Sequence, residues 1–320
     1  MSDPITRLAP SPTGALHLGN ARTFLLNHLL ARRHGWRMLM RVEDLPGPRI
    51  KPHAAADMLE ELAWLGLQWE QPVIYQSARR AAYDEALAKL ARDGWAYPCT
   101  CSRKDVESAA LAPHADDAAG AYPGACRGRY ADAADARRQS GQDPAWRVRV
   151  EDAPVRVNDH VAGTVEFNLA RLGGDFVIVR REGLAAYQLA VVVDDEAAGV
   201  NRIVRGDDLL DSAARQEHLR RLLGMTDPIE YWHLPLVVGP DGRRLAKRHG
   251  DTRLAWFRQH HATRERVLGL LGFWSGLLPR RRPAEMAELA DVFDEARLPQ
   301  TQVVYTRPDH DFLLTGREGN

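Results

Sequence analysis

Two hydrophobic periods alternate along the first part of the chain. Residues 5–9 (ITRLA) predict a short strand, and residues 19–34 have the apolar spacing of a helix that ends at Gly35. The run WRMLMRVE predicts a second strand. Strand, helix and strand in this order form the βαβ unit of a parallel sheet. Amphipathic helices are expected next, at about 53–65 and at about 77–93.

The middle of the chain has a different pattern. Residues 99–145 show little periodicity, and WRVRV, PVRVND and GTVEF then alternate like antiparallel strands. FVIVRR, LAVVVDD, RIVRG and YWHLPLVV are continuous apolar runs typical of buried parallel strands, with a helix at about 211–223. Residues after about 253 are patterned as helices, whereas those from about 300 have little pattern and are expected to be partly disordered.

These patterns predict an α/β fold. We expect a Rossmann-like, doubly wound parallel sheet that is interrupted by an inserted α+β domain and followed by a short helical C-terminal part. The expected nucleotide-binding domain is split between residues 1–96 and 176–253. The inserted domain is expected at 97–175, and the helical C-terminal region at 254–320.

Composition indicates the cellular compartment of the protein more clearly than it indicates the binding partner. No apolar run reaches membrane-spanning length, so no membrane partner is expected. Cysteines at positions 99, 101 and 126 cannot form an even disulfide framework, which favours a reducing, cytoplasmic setting. Basic and acidic residues balance at 43 each, so net charge alone leaves a nucleic-acid partner undecided. Local arginine groups such as Arg280 to Arg282 keep that possibility open.

The segment R-L-A-P-S-P-T-G-A-L-H-L-G-N (residues 7–20) joins a strand to a helix. Such a junction directs backbone N–H groups and the helix dipole at an anion above the strand. Gly14 and Gly19 allow a ligand to approach the backbone closely, and His17 offers a donor to a phosphate oxygen. A tight turn with His17 as a simple helix cap is the alternative. The segment has neither a Walker loop nor a G-x-G-x-x-G dinucleotide motif.

This segment resembles the first signature of the class I aminoacyl-tRNA synthetases. Their His-Ile-Gly-His motif is His17-Leu18-Gly19-Asn20 here, and the longer frame R-x-A-P-S-P-T-G-x-L-H-x-G resembles the glutamyl subgroup. The likeness continues through Arg41-Val42-Glu43-Asp44. It implies that His17, Gly19 and Asn20 bind ATP, which enters with Mg²⁺, and that His17 takes part in catalysis.

A second glycine-flanked basic segment, G-P-D-G-R-R-L-A-K-R-H-G-D, spans residues 239–251. A cation on such a loop can stabilise charge that develops on pyrophosphate during attack at the α-phosphate of ATP. The segment resembles the Lys-Met-Ser-Lys-Ser loop of the same family, with Lys247 at the second lysine. The resemblance therefore implies that Lys247 binds ATP and acts in catalysis. Arg244 replaces the first lysine and Ala246 the serine, which affects loop dynamics more than catalysis.

Binding free glutamate requires two cations for its carboxylates and an anion for its ammonium group. Arginine suits bidentate carboxylate recognition, and Arg7 and Arg205 each lie in a strand-like stretch. Glu43 follows an apolar strand and is the candidate for the ammonium group. Positions matching Arg7, Ser11, Glu43, Tyr187 and Arg205 bind the amino acid in glutamyl enzymes. The resemblance implies these five roles here.

Cys99, Cys101 and Cys126 predict a structural zinc site, since tetrahedral zinc takes thiolate and nitrogen ligands. From residue chemistry alone, the fourth ligand is His114 or Asp116. The family pattern C-x-C…Y-x-x-x-C instead implies Tyr122. We follow the resemblance and expect one zinc ion per chain, with His114 as the alternative.

The resemblance covers about residues 5–253, and the rest is too short for a full anticodon-binding region. The chain therefore resembles the shortened glutamyl-queuosine tRNA(Asp) branch of the family. That likeness implies tRNA-independent activation of glutamate by ATP and transfer to queuosine in the anticodon of tRNA(Asp), by a protein expected to be a monomer. The alternatives are a compact enzyme that charges the tRNA 3′ end and a catalytically silent tRNA-binding paralogue.

Overall fold

The computed structural model describes residues 3–12, 15–45, 53–102, 104–105, 122, 124–243, 245 and 251–317. In the first half of the chain the elements are β1 (Ile5–Leu8), α1 (Leu18–His34), β2 (Arg37–Val42), α2 (Ala54–Trp64), β3 (Ile74–Tyr75), a 3₁₀ turn (Gln76–Arg79), α3 (Arg80–Arg92), β4 (Ala96–Cys99), α4 (Ala133–Ser140), β5 (Ala145–Val148) and β6 (Pro154–Asp159).

The second half continues with β7 (Gly163–Asn168), β8 (Phe176–Val179), α5 (Tyr187–Ala197), β9 (Arg202–Gly206), a 3₁₀ turn (Asp207–Leu209), α6 (Leu210–Leu223), β10 (Glu230–Leu234) and β11 (Val237–Val238). The C-terminal part contains α7 (Leu254–Gln259), α8 (Arg264–Trp274), α9 (Met286–Asp291), a 3₁₀ turn (Glu295–Arg297), β12 (Val303–Val304) and α10 (Arg307–Thr315). Among the described residues, no helix combines the length and apolar composition that crossing a bilayer requires.

The main sheet has the order β3-β2-β1-β9-β10-β6-β7. The first six strands in this order are all parallel to one another, and the last strand, β7, is antiparallel to β6. The chain leaves β1 toward β2 on one side, and leaves β9 toward β10 on the other. This reversal of winding opens a crevice at the carboxyl ends of β1 and β9, where doubly wound sheets bind ligands. The predicted Rossmann-like sheet is confirmed.

A second, antiparallel sheet has the order β4-β5-β8. The boundary between the two sheets therefore does not fall at residue 175. The hairpin of β6 and β7, which precedes that residue, pairs with the main sheet, whereas β8, which follows it, pairs with β5. Alternation correctly predicted β6 and β7 as antiparallel partners, but it could not indicate that their hairpin joins β10. The four domain ranges themselves remain a prediction.

Three expectations about local structure were wrong. LAVVVDD forms most of helix α5 and is not a strand. The helix is buried on nearly all sides, so its sequence lacks the amphipathic period that would have distinguished it from a buried strand. FVIVRR does contain a strand, β8, but it is an antiparallel one. The expected disorder from about residue 300 is also contradicted as far as residue 317, since α10 begins with a capping box formed by Thr306 and Asp309.

Helix α1 is the centre of the largest hydrophobic core. Leu25, Leu26, Leu29 and Leu30 are buried to at least 99%, because the helix lies between the main sheet and the C-terminal helices. A buried leucine contributes about 1.5–3 kcal/mol relative to an exposed one. The helix ends at Gly35, whose φ of 68° is the left-handed conformation expected of a C-terminal glycine. The apolar burial of α1 therefore fixes where its N-terminus points.

Candidate active site

A cavity of about 480 Å³ opens at the carboxyl ends of β1, β2, β9 and β10. It lies at the reversal of winding in the main sheet. Eight of the residues predicted to bind glutamate or ATP line it, and they come from four separate parts of the chain: Arg7, Ser11, His17, Gly19, Asn20, Glu43, Tyr187 and Arg205. Apolar side chains, among them Phe24, Met58 and Val237, complete the wall. Residues far apart in the sequence therefore meet in one crevice.

The N-terminus of α1 points into this cavity. His17 caps the helix, and its Nδ1 accepts a hydrogen bond from the backbone N–H of Asn20 at 3.3 Å. Space at Gly19 is tight: an added Cβ would lie 3.2 Å from Nδ1 of His17, so the ring would have to shift by a few tenths of an ångström. The first turn carries no acidic residue, so the positive end of the helix dipole is available to an anion. Both interpretations of His17, helix cap and cavity residue, thus apply.

Both ends of the basic loop 239–251 lie beside the same helix. Val237, just before the loop, lines the cavity. Just after it, the N–H of Leu18 donates to the carbonyl of Thr252 at 3.0 Å, and the N–H of Leu254 donates to the carbonyl of Leu16 at 2.8 Å. Lys247, predicted to act on the phosphates, lies outside the described residues. So do Arg244 and Ala246.

One wall of the cavity is a buried group of alternating charges. Nε of Arg7 donates to Oδ1 of Asp195 at 3.1 Å, and Arg41 also contacts Oδ1 of Asp195. Arg41 in turn donates to Glu43 at 3.2 Å, and the hydroxyl of Ser11 donates to Glu43 at 3.1 Å. Burial would raise the pKa of Asp195, but the charges of Arg41 and Arg7 outweigh burial and hold that pKa below its ordinary value.

A second part of the cavity wall contains Arg205, which has different partners. Its Nε donates to Nε2 of His233 at 2.9 Å, and its Nη1 donates to the side-chain oxygen of Gln216 at 2.8 Å. Its Nη2 is buried and has no hydrogen-bond partner among the described residues. Tyr187 lines the cavity as well, and burial raises the pKa of its phenol. The guanidinium of Arg205 therefore retains hydrogen-bonding capacity for an anion.

Sequence reasoning found the cavity residues but missed the residues that hold them. Asp195 belongs to the apolar run LAVVVDD and Arg41 to the motif R-V-E-D, but neither pattern alone assigns these residues to the site. His233, Gln216 and Asp159 were not singled out either. A buried polar residue directly after an apolar run, as in V-V-V-D-D, was the available signal, because such a residue requires a polar partner.

The three cysteines meet at the end of β4, as predicted. The sulfurs of Cys99, Cys101 and Cys126 all lie within 4.8 Å of one another, close enough to hold a metal ion. The hydroxyl of Tyr122 lies 3.3 Å from Sγ of Cys99 and 3.7 Å from Sγ of Cys101. The guanidinium of Arg147 lies 3.9 Å from the centre of the Tyr122 ring, a cation–π contact that holds the ring beside the three sulfurs. The donor set therefore fits a metal. His114, the alternative fourth ligand, lies outside the described residues.

Comparison with known proteins finds one family along most of the chain. Residues 5–284 match the family described as tRNA synthetases class I (E and Q), catalytic domain. The chain is 45% identical over 306 residues to a protein of Symbiobacterium thermophilum named glutamyl-Q tRNA(Asp) synthetase, covering 93% of this chain and 94% of that protein. A protein of the same name from Rhodopirellula baltica is 46% identical over 297 residues, covering 87% of each chain.

Solved structures share the fold. The crystal structure of glutamate-tRNA synthetase from Elizabethkingia anophelis superposes with a TM-score of 0.81 and 23% sequence identity, covering 98% of this chain and 70% of that one. A glutamate tRNA ligase from Elizabethkingia meningosepticum, solved in complex with its amino acid, gives a TM-score of 0.80 at 23% identity, with coverage of 98% and 69%. The crevice described above is therefore built on the same fold as these enzymes.

Proposed function

The chain belongs to the class I tRNA synthetases for glutamate and glutamine, and from this premise we propose that it activates glutamate with ATP, without tRNA, and transfers the glutamyl group to queuosine in the anticodon of tRNA(Asp). The acceptor rests on one observation. Relatives named glutamyl-Q tRNA(Asp) synthetase match this chain over nearly their whole length, 94% in one and 87% in another. The competing acceptor is the 3′ end of a tRNA.

The charges of the cavity support glutamate as the amino acid. Arg7 and Arg205 face the cavity as cations for two carboxylates, and Glu43 faces it as an anion for the ammonium group. Because Ser11 and Arg41 hydrogen-bond to Glu43, its carboxylate is held in one orientation. Arginine forms paired hydrogen bonds with carboxylates, whereas a neutral amide such as that of glutamine would leave a buried cation without its counter-charge.

The first step joins glutamate to the nucleotide. A carboxylate oxygen attacks the α-phosphorus of ATP, the bond to the bridging oxygen breaks, and pyrophosphate leaves with the electron pair. His17 and the N-terminus of α1 stabilise the phosphate charge, and Lys247 stabilises the charge that develops on pyrophosphate. ATP enters with Mg²⁺, which neutralises part of its charge. Phe24, Met58 and Val237 supply apolar surface for the nucleoside.

In the second step a hydroxyl of the queuosine cyclopentenediol attacks the glutamyl carbonyl. An ester bond forms, the bond from the carbonyl carbon to the phosphate oxygen breaks, AMP leaves with the electron pair, and the hydroxyl proton is released to solvent. The base must leave its neighbours in the anticodon loop to reach the cavity, as bases do when an enzyme acts on them.

Labelled glutamate and three tRNAs test the acceptor. The protein is incubated with ATP, [¹⁴C]glutamate and either tRNA(Asp) carrying queuosine, tRNA(Asp) lacking it, or tRNA(Glu). We expect label on the queuosine-containing tRNA(Asp) alone. Label on tRNA(Glu), with none on queuosine-containing tRNA(Asp), would reject the proposed acceptor and favour a compact enzyme that charges the 3′ end.

We also propose that the cysteine cluster holds one structural zinc ion, with Cys99, Cys101, Cys126 and Tyr122 as ligands. Zinc would tie the end of β4 to the segment that contains Tyr122. Thiolate ligands of this kind favour a reducing, cytoplasmic setting for the protein. Separately, we propose that the protein is a monomer.

Metal analysis of purified variants tests this zinc site. Cys99→Ser should lower the zinc content well below one ion per chain, and Tyr122→Phe should bind zinc more weakly while His114→Ala does not. Unchanged zinc in Cys99→Ser would exclude the site.

A further inference from the structure

His233 lies between two buried charged residues on neighbouring strands. Its Nδ1 and its backbone N–H both donate to Oδ2 of Asp159, at 2.6 and 3.0 Å. The other oxygen of Asp159 accepts from the backbone N–H groups of Val161 and Ala162, at 2.8 and 2.7 Å. Because both oxygens are engaged, the carboxylate of Asp159 is held in one orientation. It therefore fixes the ring of His233 with the proton on Nδ1, which leaves Nε2 as an acceptor.

That acceptor meets Arg205. Nε of Arg205 donates to Nε2 of His233 at 2.9 Å, and the His233 and Asp159 side chains are fully buried. Arginine Nε always carries a proton, so His233 can take this position only as a neutral ring. The order Asp159, His233, Arg205 is therefore a directed chain of hydrogen bonds that ends at the cavity.

The partners of Arg205 differ from the usual partners of a buried arginine. Buried arginines are commonly paired with carboxylates, as Arg7 is with Asp195. Among the described residues, the hydrogen-bond partners of Arg205 are His233 and Gln216, and both are neutral. They use Nε and Nη1, and the buried Nη2 has no partner within the described chain. The guanidinium is thus held in place without being neutralised by direct contact.

We propose that His233, oriented by Asp159, is a positioning residue for Arg205 that fixes the guanidinium toward the cavity and leaves its charge available to a substrate carboxylate. This inference rests on the proposed function, because it takes glutamate as the substrate. The competing interpretation is that His233 only fills space in the core and satisfies Asp159.

Two substitutions separate these interpretations. In His233→Gln the amide oxygen reaches the position of Nε2 and still accepts from Arg205, while the bond to Asp159 is lost. In His233→Asn the amide reaches only the position of Nδ1, so the contact with Asp159 is kept and the acceptor for Arg205 is lost. A role confined to the core predicts that Gln is the more harmful change. A role in positioning Arg205 predicts that Asn is.

The measurement is glutamate-dependent ATP–pyrophosphate exchange by the full chain. For His233→Asn we expect the KM for glutamate to rise about tenfold, as for a lost hydrogen bond to a charged group, with kcat and the KM for ATP changed less than about twofold. For His233→Gln we expect a KM for glutamate within about threefold of wild type. His218→Asn is the matched control, since His218 is also buried but contacts the carbonyl of Arg149. Its KM should not change.

Equal KM values for glutamate in wild type and His233→Asn would overturn the proposal. So would a tenfold rise in His233→Gln, and this second variant decides the matter if His233→Asn does not fold. A failure of the proposed function has a different result: the wild-type protein itself would then show no exchange that depends on glutamate.

Discussion

Arg7 and Arg205 face the same cavity from neighbouring strands, β1 and β9, but they are held by different chemistry. Arg7 pairs with Asp195, whose carboxylate also contacts Arg41, so charges of opposite sign alternate along that wall. Arg205 is held by two neutral acceptors. A buried ion pair has little net charge to offer a ligand, whereas an arginine with neutral partners still requires an anion. We therefore propose that Arg205 contributes more than Arg7 to carboxylate selection, and that Arg7 contributes more to stability.

The largest expected effect is a loss of free energy of unfolding when the group of charges around Asp195 is broken. Asp195→Asn removes the carboxylate shared by Arg7 and Arg41, which are 96% and 98% buried. Leaving a buried charge without its partner costs about 3–5 kcal/mol, so urea unfolding should show a loss of that size. Glu166→Gln, which breaks the exposed pair with Arg156, is the control and should cost less than about 1 kcal/mol. A loss below 1 kcal/mol for Asp195→Asn would mean that the pairs at Asp195 do not stabilise the fold.

A smaller effect, on glutamate binding only, is expected when one of the two neutral partners of Arg205 is replaced by a charged residue. Gln216→Glu keeps the shape of the side chain and still accepts from Nη1 of Arg205, but it neutralises the guanidinium. The KM for glutamate should therefore rise about tenfold, while the melting temperature does not fall by more than about 3 °C. Gln188→Glu is the matched control, because Gln188 contacts Gln216 without contacting Arg205. An unchanged KM for glutamate in Gln216→Glu would mean that the neutral partners of Arg205 do not matter for glutamate binding.

The smallest expected effect is a pH dependence that originates at His233. Burial lowers the pKa of His233 below its ordinary value, although its bond to Asp159 opposes that shift. As pH falls below about 6.5 toward this lowered pKa, the ring gains a proton and can no longer accept from Arg205. The charged groups that face it are Asp159 on β6 and Arg205 on β9, and the phenol of Tyr231 stacks beside it on β10.

Below the ordinary histidine pKa of about 6.5, the KM for glutamate of the wild type should therefore rise as pH falls, measured by exchange at saturating ATP. In His233→Gln, where this titration is absent, the KM should change less. Parallel pH profiles in the two proteins would assign the titration to another group.

Most of the cavity residues were predictable because they lie in short motifs that begin or end a strand or a helix. Arg7 lies in β1, Glu43 directly follows β2, and His17 caps the helix that follows β1, and the carboxyl ends of parallel strands meet at one edge of a sheet. The order of strands then brings Arg205 to the same edge. Local sequence and the rules of parallel sheets were sufficient for this part of the site.

The supporting partners were not predictable in the same way, for two physical reasons. Asp195 belongs to an apolar run whose period cannot distinguish a buried helix from a strand, and the run was wrongly assigned to a strand. Asp159 reaches His233 because the β6–β7 hairpin joins the main sheet beside β10, a pairing between distant segments. Propensity and alternation describe neighbours along the chain, and both contacts depend on tertiary packing.

Glutamate-dependent ATP–pyrophosphate exchange in the complete absence of tRNA is the decisive measurement for the proposed activity. We expect exchange with glutamate and ATP alone, no exchange when glutamine replaces glutamate, and a severe loss of rate in Lys247→Ala with little change in glutamate affinity. Exchange that requires an added tRNA, or that proceeds equally well with glutamine, would contradict it.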